Sequence, residues 1–245
     1  MKYFALSDVG KVRKENQDTW CAYLNNEDDA CALVVCDGMG GANAGSTASA
    51  LAAESFVEHL KTCLSQNKRA AASTIVHDAA AYANLRVYDR AFTDPDCRGM
   101  GTTLVAAAVF GTTAAIVNVG DSRAYLFNTK SELYRITRDH SLVAEMLARG
   151  KITTEQAENH PRKNVITRAL GMDSTVKLDV FVQQLEQGDR LLLCTDGLSN
   201  QLSDAELALM LQELRDPEEC CKRLLDIALV RGAPDNVTVA ILSIE

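Results

Sequence analysis

The chain has 245 residues, 47% hydrophobic and 24% charged, which supplies apolar material for one large core or two small ones and excludes disordered and fibrous classes. Its 33 acids against 25 Lys plus Arg leave a formal net charge of −8, opposite in sign to the footprint of a nucleic-acid binder. Such a balance is compatible with a cationic ligand such as a metal ion, and equally with a solvated acidic surface.

From the start, Met1 to Asp8 shows no apolar stretch of signal-peptide length before its first acid, so a cytoplasmic protein with reduced thiols is expected. Strand-like segments follow at Tyr3–Val9, Trp20–Leu24 and Ala30–Cys36, separated by turn residues. Two helical patterns come next: Ala52, Phe56, Leu60 and Leu64 repeat at i+4, and Val76, Ala80, Ala83 and Val87 repeat at helical spacing.

The longest uncharged stretch, Gly99 to Gly120, has the length of a membrane span. Gly111-Thr112-Thr113 interrupts it, so it reads as strands Thr102–Phe110 and Ala114–Val119 joined in a hairpin. Strands Arg123–Asn128 and Leu133–Thr137 continue the series. From His140 to Leu170 the pattern weakens into a short helix around Leu142, Met146 and Leu147, a polar turn Lys151–Asn159, and the basic run His160-Pro161-Arg162-Lys163, which together read as an inserted lobe. Strands Leu178–Gln184, Arg190–Cys194 and Val237–Ser243 then alternate with helices Asp204–Glu213 and Pro217–Val230.

Two blocks of paired helices interrupting many short-connected strands predict an α+β fold of stacked antiparallel sheets covered by helices, in one domain over residues 1–245. No CxxC spacing occurs. Cys21, Cys31, Cys36 and Cys194 fall in strand-like runs as small buried hydrophobes, and the adjacent Cys220 and Cys221 are expected to be one core and one surface thiol.

Acids recur where apolar strands end. Asp37 follows Ala-Leu-Val-Val-Cys, Asp121 follows Ile-Val-Asn-Val-Gly, and Asp196 follows Leu-Leu-Leu-Cys-Thr. A carboxylate there needs hydrogen bonds or a cation, and several converging at one sheet edge favour a cation. An oxygen-only set suits Mg²⁺ or Mn²⁺ rather than zinc; a turn or cap role remains open for each acid taken alone. Glycines in Asp37-Gly38-Met39-Gly40-Gly41 and Thr195-Asp196-Gly197 permit close backbone approach to a ligand. No P-loop ending or complete GxGxxG accompanies them. Gly10-Lys11-Val12-Arg13-Lys14-Glu15-Asn16-Gln17-Asp18 puts a guanidinium and a carboxylate on one loop, suited to a phosphate or simply solvated. Gly232-Ala233-Pro234-Asp235-Asn236 is by itself an ordinary turn.

In order, Gly10-x-x-Arg13-x-x-Asn16-Gln17-Asp18, Asp37 to Gly41, Gly101-Thr102-Thr103, Asn118-Val119-Gly120-Asp121-Ser122-Arg123, Asp139-His140-Ser141, Thr195-Asp196-Gly197-Leu198 and Asp235-Asn236-Val237-Thr238 resemble the metal-dependent, type 2C Ser/Thr protein phosphatases, especially compact bacterial members. The resemblance covers nearly the whole chain. It implies a four-layer αββα sandwich with a binuclear metal centre at one end, loaded with Mn²⁺ or Mg²⁺. It also implies roles: Asp37 bridges two ions, Gly38 offers its carbonyl to one, Asp196 and Asp235 hold the other, and Asp18 acts through water. Asp121 with Asp196 matches a weaker third site, Asn236 orients the groups around Asp235, and Arg13 grips the substrate phosphate.

The reaction implied is hydrolysis of phosphoserine and phosphothreonine on proteins by a hydroxide bridging the ions, without a phosphoenzyme. Many eukaryotic members carry His directly after the Asp-Gly pair as a proposed general acid. This chain has Met39 there, so a metal-bound water is the expected proton donor and no side chain is assigned as general acid. The lobe at about 140–170 corresponds to the flap of bacterial members, and Arg162 and Lys163 are its candidate substrate contacts, against the alternative of a solvated basic loop. His140 and His160 are read as hydrogen-bonded structural residues. The resemblance further favours a monomer that acts on phosphoproteins opposite a Ser/Thr kinase, with no nucleic-acid or membrane partner. A docking module without turnover is the competing class, and the presence of Asp37, Asp196 and Asp235 in their motifs argues against it.

Overall fold

A computed structural model describes residues 1–25, 30–40, 44–66 and 70–245; Gly41, the last glycine of the Asp37 run, lies outside them. Sheet I has strand order β1 (Lys2–Asp8), β11 (Val237–Ser243), β10 (Arg190–Cys194), β7 (Arg123–Phe127), β8 (Leu133–Arg135). Sheet II has order β2 (Asp18–Asn25), β3 (Ala30–Met39), β5 (Leu104–Phe110), β6 (Thr113–Val119), β9 (Asp179–Gln184), with the two-residue β4 (Gly101–Thr102) on the far end of β3. Every pairing is antiparallel.

The strands read as continuous apolar runs because both faces of each sheet are covered. Cys31, Leu33 and Val35 of β3 meet Leu191, Leu193, Ala240 and Leu242 of sheet I in the middle layer. The alternate residues Ala32, Val34 and Cys36 face helices α1 (Ala44–Gln66) and α2 (Ala72–Thr93). Alanines on both partners, Ala106 and Ala108 on β5 and Ala79, Ala80 and Ala83 on α2, fill this contact without bulky side chains. On the opposite side, Leu192, Cys194, Val239 and Ile241 face α5 (Asp196–Ser199), α6 (Asp204–Glu213) and α7 (Pro217–Val230). The result is the expected four-layer αββα order. Gly99–Gly120 forms strands, and among the described residues no helix is long and apolar enough to cross a membrane.

Three local expectations need correction. The strand expected over Thr102–Phe110 is broken at Thr103, which leaves the ladder to bind the backbone of Asp37. The polar turn Lys151–Asn159 contains a helix, α4 (Thr154–Glu158), started by a capping box between Thr153 and Gln156; with no apolar stripe, only that box could have revealed it. Cys221 is buried along with Cys220, because α7 packs on two neighbours: Cys220 Sγ points to the carbonyl of Met210 on α6 and Cys221 Sγ to that of Phe4 on β1. Between β8 and β9 stand α3 (Leu142–Ala148) and α4, closed at the base by a bridge between Ser141 and Ile166.

Candidate active site

Along the middle layer the inward positions of both sheets change from apolar to polar at one end. On β3 the series Leu33, Val35 ends in Asp37, and the β2–β3 register sets Asp18 directly opposite it. Two carboxylates facing each other across a ladder repel, so this pairing calls for compensation. Part of it comes from sheet I, where the inward series on β10 and β11 reach Thr195 and Thr238. Both hydroxyls donate to Asp18 Oδ2, at 2.9 and 2.7 Å. Asp196 opens α5 immediately after β10, and Asp235 precedes β11. The acids expected at one sheet edge thus come from the ends of both sheets.

Asp37 is held through its backbone. Its N–H donates to Thr103 Oγ1 at 2.9 Å, and its carbonyl accepts from the Thr103 N–H and the Thr102 hydroxyl, each at 2.9 Å. This explains the Gly101-Thr102-Thr103 motif. A Cβ on Gly38 would lie 2.1 Å from the Gly45 carbonyl, and one on Gly197 would lie 1.8 Å from that of Asn236, so neither position accepts a side chain. Asn236 ties the Arg13 loop down: its Oδ1 accepts from the Gln17 N–H at 2.8 Å, and its Nδ2 donates to the carbonyls of Val9 and Glu15 at 3.0 and 2.9 Å. Arg13 Nη2 donates to Asp235 Oδ2 at 2.8 Å, and the carboxylates of Asp235, Asp37 and Asp196 hold the guanidinium firmly charged.

The electrostatics of the cluster follow from its burial. Asp18 is pushed up to about 7 by burial, against the two threonine hydroxyls, and then by the charges of Asp196 and Asp235. Burial and the charge of Asp196 push Asp121 up to about 7. Asp196 is raised to about 6 by burial and Asp235, although Asn200 Nδ2 donates to its Oδ2 at 3.0 Å. Asp37 is pushed well above the carboxylate range, by burial first and by Asp18 next. Oδ1 of Asp18 and Oδ1 of Asp196 are buried without a hydrogen-bond partner. Orphaned, mutually repelling carboxylate oxygens are the donor set of a hard divalent cation, and Mn²⁺ or Mg²⁺ fits them. Among the described residues, no three His, Cys, Asp or Glu side chains close tightly enough to enclose an ion by themselves.

Thr195, Thr238 and Thr103 were not singled out as site residues from the sequence. Their signal was available, since each sits within a quoted motif at or next to the end of an apolar strand. His140 is buried with both ring nitrogens engaged: Gly120 N–H donates to Nδ1 at 3.1 Å, and Nε2 lies 3.1 Å from both Asp179 Oδ2 and Arg168 Nη1. Burial holds it below the ordinary imidazole range despite Asp179, and no nitrogen is left to serve a substrate. His160 accepts the Arg162 N–H on Nδ1 at 3.1 Å. Beside the cluster, a groove of about 1330 Å³ opens over Asp121 and Asp196 and is walled by α3 and α4; Lys163 lines it, and Arg162 stands outside its lining.

Two helix-covered sheets enclosing an oxygen-only acidic cluster define a scaffold suited to hard divalent cations. The family model described as Protein phosphatase 2C matches residues 11–224. The Serine/threonine phosphatase stp of Listeria welshimeri is 37% identical over 236 residues, 96% of this chain and 93% of that protein. The crystal structure of the Mycobacterium tuberculosis serine/threonine phosphatase PstP/Ppp superposes with a TM-score of 0.88 at 35% identity, covering 100% of this chain and 98% of that one. The catalytic domain of PstP in complex with two manganese ions gives 0.83 at 34% identity, covering 98% and 96%. The chain belongs to the protein phosphatase 2C family, and its class is that of serine/threonine protein phosphatases.

Proposed function

We propose that residues 1–245 form one catalytic domain in which Asp37, the Gly38 carbonyl, Asp196 and Asp235 hold two divalent ions, Asp18 contributes through water, and Asp121 with Asp196 serves a weaker third site. The observation that carries this assignment is the Asp18–Asp37 pair, opposed across the ladder and only partly compensated, beside the orphaned Oδ1 atoms of Asp18 and Asp196. When bound, Mn²⁺ or Mg²⁺ supplies positive charge against phosphoryl oxygens and acidifies water toward neutral pH.

The chain's own residues do the rest. Arg13 is a fixed cation with a planar fork, held on the rim by Asp235, and its unengaged N–H groups reach for the phosphate of a phosphoserine or phosphothreonine. Thr195 and Thr238 aim Asp18 by binding one of its oxygens and leaving the other free. Asn236 keeps the Arg13 loop over the cluster. Met39 is a thioether with no acidic proton, and both nitrogens of His140 are engaged within the protein, so the departing serine or threonine oxygen takes its proton from water. The α3–α4 lobe acts as a flap that contacts the protein substrate, with Lys163 and Arg162 as its cations. The enzyme works as a cytoplasmic monomer on phosphoproteins opposite a Ser/Thr kinase, with no nucleic-acid or membrane partner; its net charge of −8 supports that last exclusion.

The test is phosphate release from a phosphothreonine peptide by wild type and Asp37→Asn, each with Mn²⁺, with Mg²⁺ and after chelation. Metal-dependent turnover that falls by about 10²-fold or more in the variant is expected. Turnover that survives chelation, or an unaffected variant, overturns the assignment.

A further inference from the structure

We propose that the groove beside the cluster is a docking surface for phosphoprotein segments with acidic side chains next to the phosphorylated residue, and that Arg138, Lys163 and Lys177 bind those acids. The proposal rests on the phosphatase reading and names the substrate class within it.

Size comes first. At about 1330 Å³ the groove exceeds the roughly 300–1,000 Å³ of small-molecule pockets, so a phosphorylated side chain alone leaves most of it unfilled. Asp121 and Asp196 are among its lining residues, which places a chain lying in it beside the acidic cluster. The lobe supplies an apolar shelf: α3 buries none of its residues, and Val143, Ala144, Leu147 and Ala148 line the groove.

The charges decide what lies there. Away from Asp121 and Asp196, the carboxylates on the walls are already engaged. Asp139 is held by Arg123 and Arg135, Asp179 by Arg168 and His140, and Glu206 by Arg231. Asp204 accepts the Tyr125 hydroxyl, and Glu145 faces Arg149 at 3.6 Å. Arg138, Lys163 and Lys177 also line the groove, and among the described residues none of the three has a carboxylate partner. In a chain of net charge −8, three unpaired cations lining one groove make a local site for anions. No Phe, Tyr or Trp lines the groove, so it lacks the stacking platforms with which single-stranded nucleic acid is held. An acidic polypeptide fits both the shelf and the charges.

The experiment compares kcat/KM on three phosphothreonine peptides of equal length, flanked by Asp/Glu, by Ser/Gln or by Lys. Wild type is expected to favour the acidic peptide over the neutral one by about tenfold, mainly through KM, with the preference shrinking in high salt. Triple replacement of Arg138, Lys163 and Lys177 by Ala brings the acidic-to-neutral ratio close to one, and Arg138→Glu with Lys177→Glu turns preference toward the Lys-flanked peptide. Equal use of all three peptides by wild type overturns the proposal, as does an acidic preference that survives the triple replacement. Failure to hydrolyse any of the peptides overturns the phosphatase reading itself and the docking proposal with it.

Discussion

Leu193, one residue before the end of β10, is fully buried between the sheets, and two positions further on the same face Thr195 binds Asp18. Leu147, on the lobe wall of the same groove, is 39% exposed, and no residue of α3 is buried. Asp18 and Asp37 thus stand on close-packed strands that cannot shift without disturbing two cores, with Asp121, Asp196 and Asp235 just beyond the ends of others, while the lobe rests on its base bridge and a few loop hydrogen bonds. Precise placement of charge needs the first kind of support. Accommodation of varied protein segments needs the second, because selection by loops can change without disturbing the reacting centre.

The contrast can be broken experimentally, beginning with the core. Leu193→Ala should cost about 2–5 kcal/mol of stability, read as a lower denaturant midpoint with little change in slope; a loss below about 1 kcal/mol would mean that the middle layer is looser than described. Next, Thr195→Val, which removes one hydroxyl from Asp18 while conserving volume, should raise the Mn²⁺ concentration for half-maximal activity by about 10- to 100-fold. An unchanged metal titration would separate Asp18 from the metal site.

The third test uses pH. Asp18, Asp121 and Asp196 sit at about 7, 7 and 6 in the folded chain against about 3.9 when unfolded. The folded state therefore binds more protons between about pH 4 and 7, and stability falls as pH rises through that window. His140, whose value is lowered, works in the opposite direction with a single group. Metal-free protein should melt about 5 °C higher at pH 5.5 than at pH 8, and Mn²⁺ should narrow that gap by compensating the ionised acids. A metal-free melting temperature that rises with pH would contradict the burial of the cluster. The smallest effect belongs to the lobe: Leu147→Ala should change stability by less than about 0.5 kcal/mol while raising KM for a phosphopeptide. A large stability loss would show that α3 is part of the core.

Much of this molecule was legible in the sequence because strand alternation, helical spacing and turn residues are local signals. Strands Arg190–Cys194 and Val237–Ser243 and helices Asp204–Glu213 and Pro217–Val230 agree with the structure at both ends, and Asp37, Asp121 and Asp196 could be picked out as acids ending apolar strands. Helix α4 was missed because a polar helix of five residues has no apolar face to announce it. The burial of Cys221 was missed because periodicity shows which face of a helix is apolar, and cannot show that α7 is packed against both β1 and α6.

By itself the sequence determined most of the elements, the order of the acids along the chain and the oxygen-only chemistry they share. Only the tertiary structure decided that Asp18 stands opposite Asp37, that Thr195 and Thr238 reach Asp18 across 177 and 220 residues of chain, that both nitrogens of His140 are engaged, and that Arg138, Lys163 and Lys177 line one groove. Strand register and the packing of one sheet on another set these contacts, and both depend on side chains far apart in sequence that meet only when the sheets close on a common core.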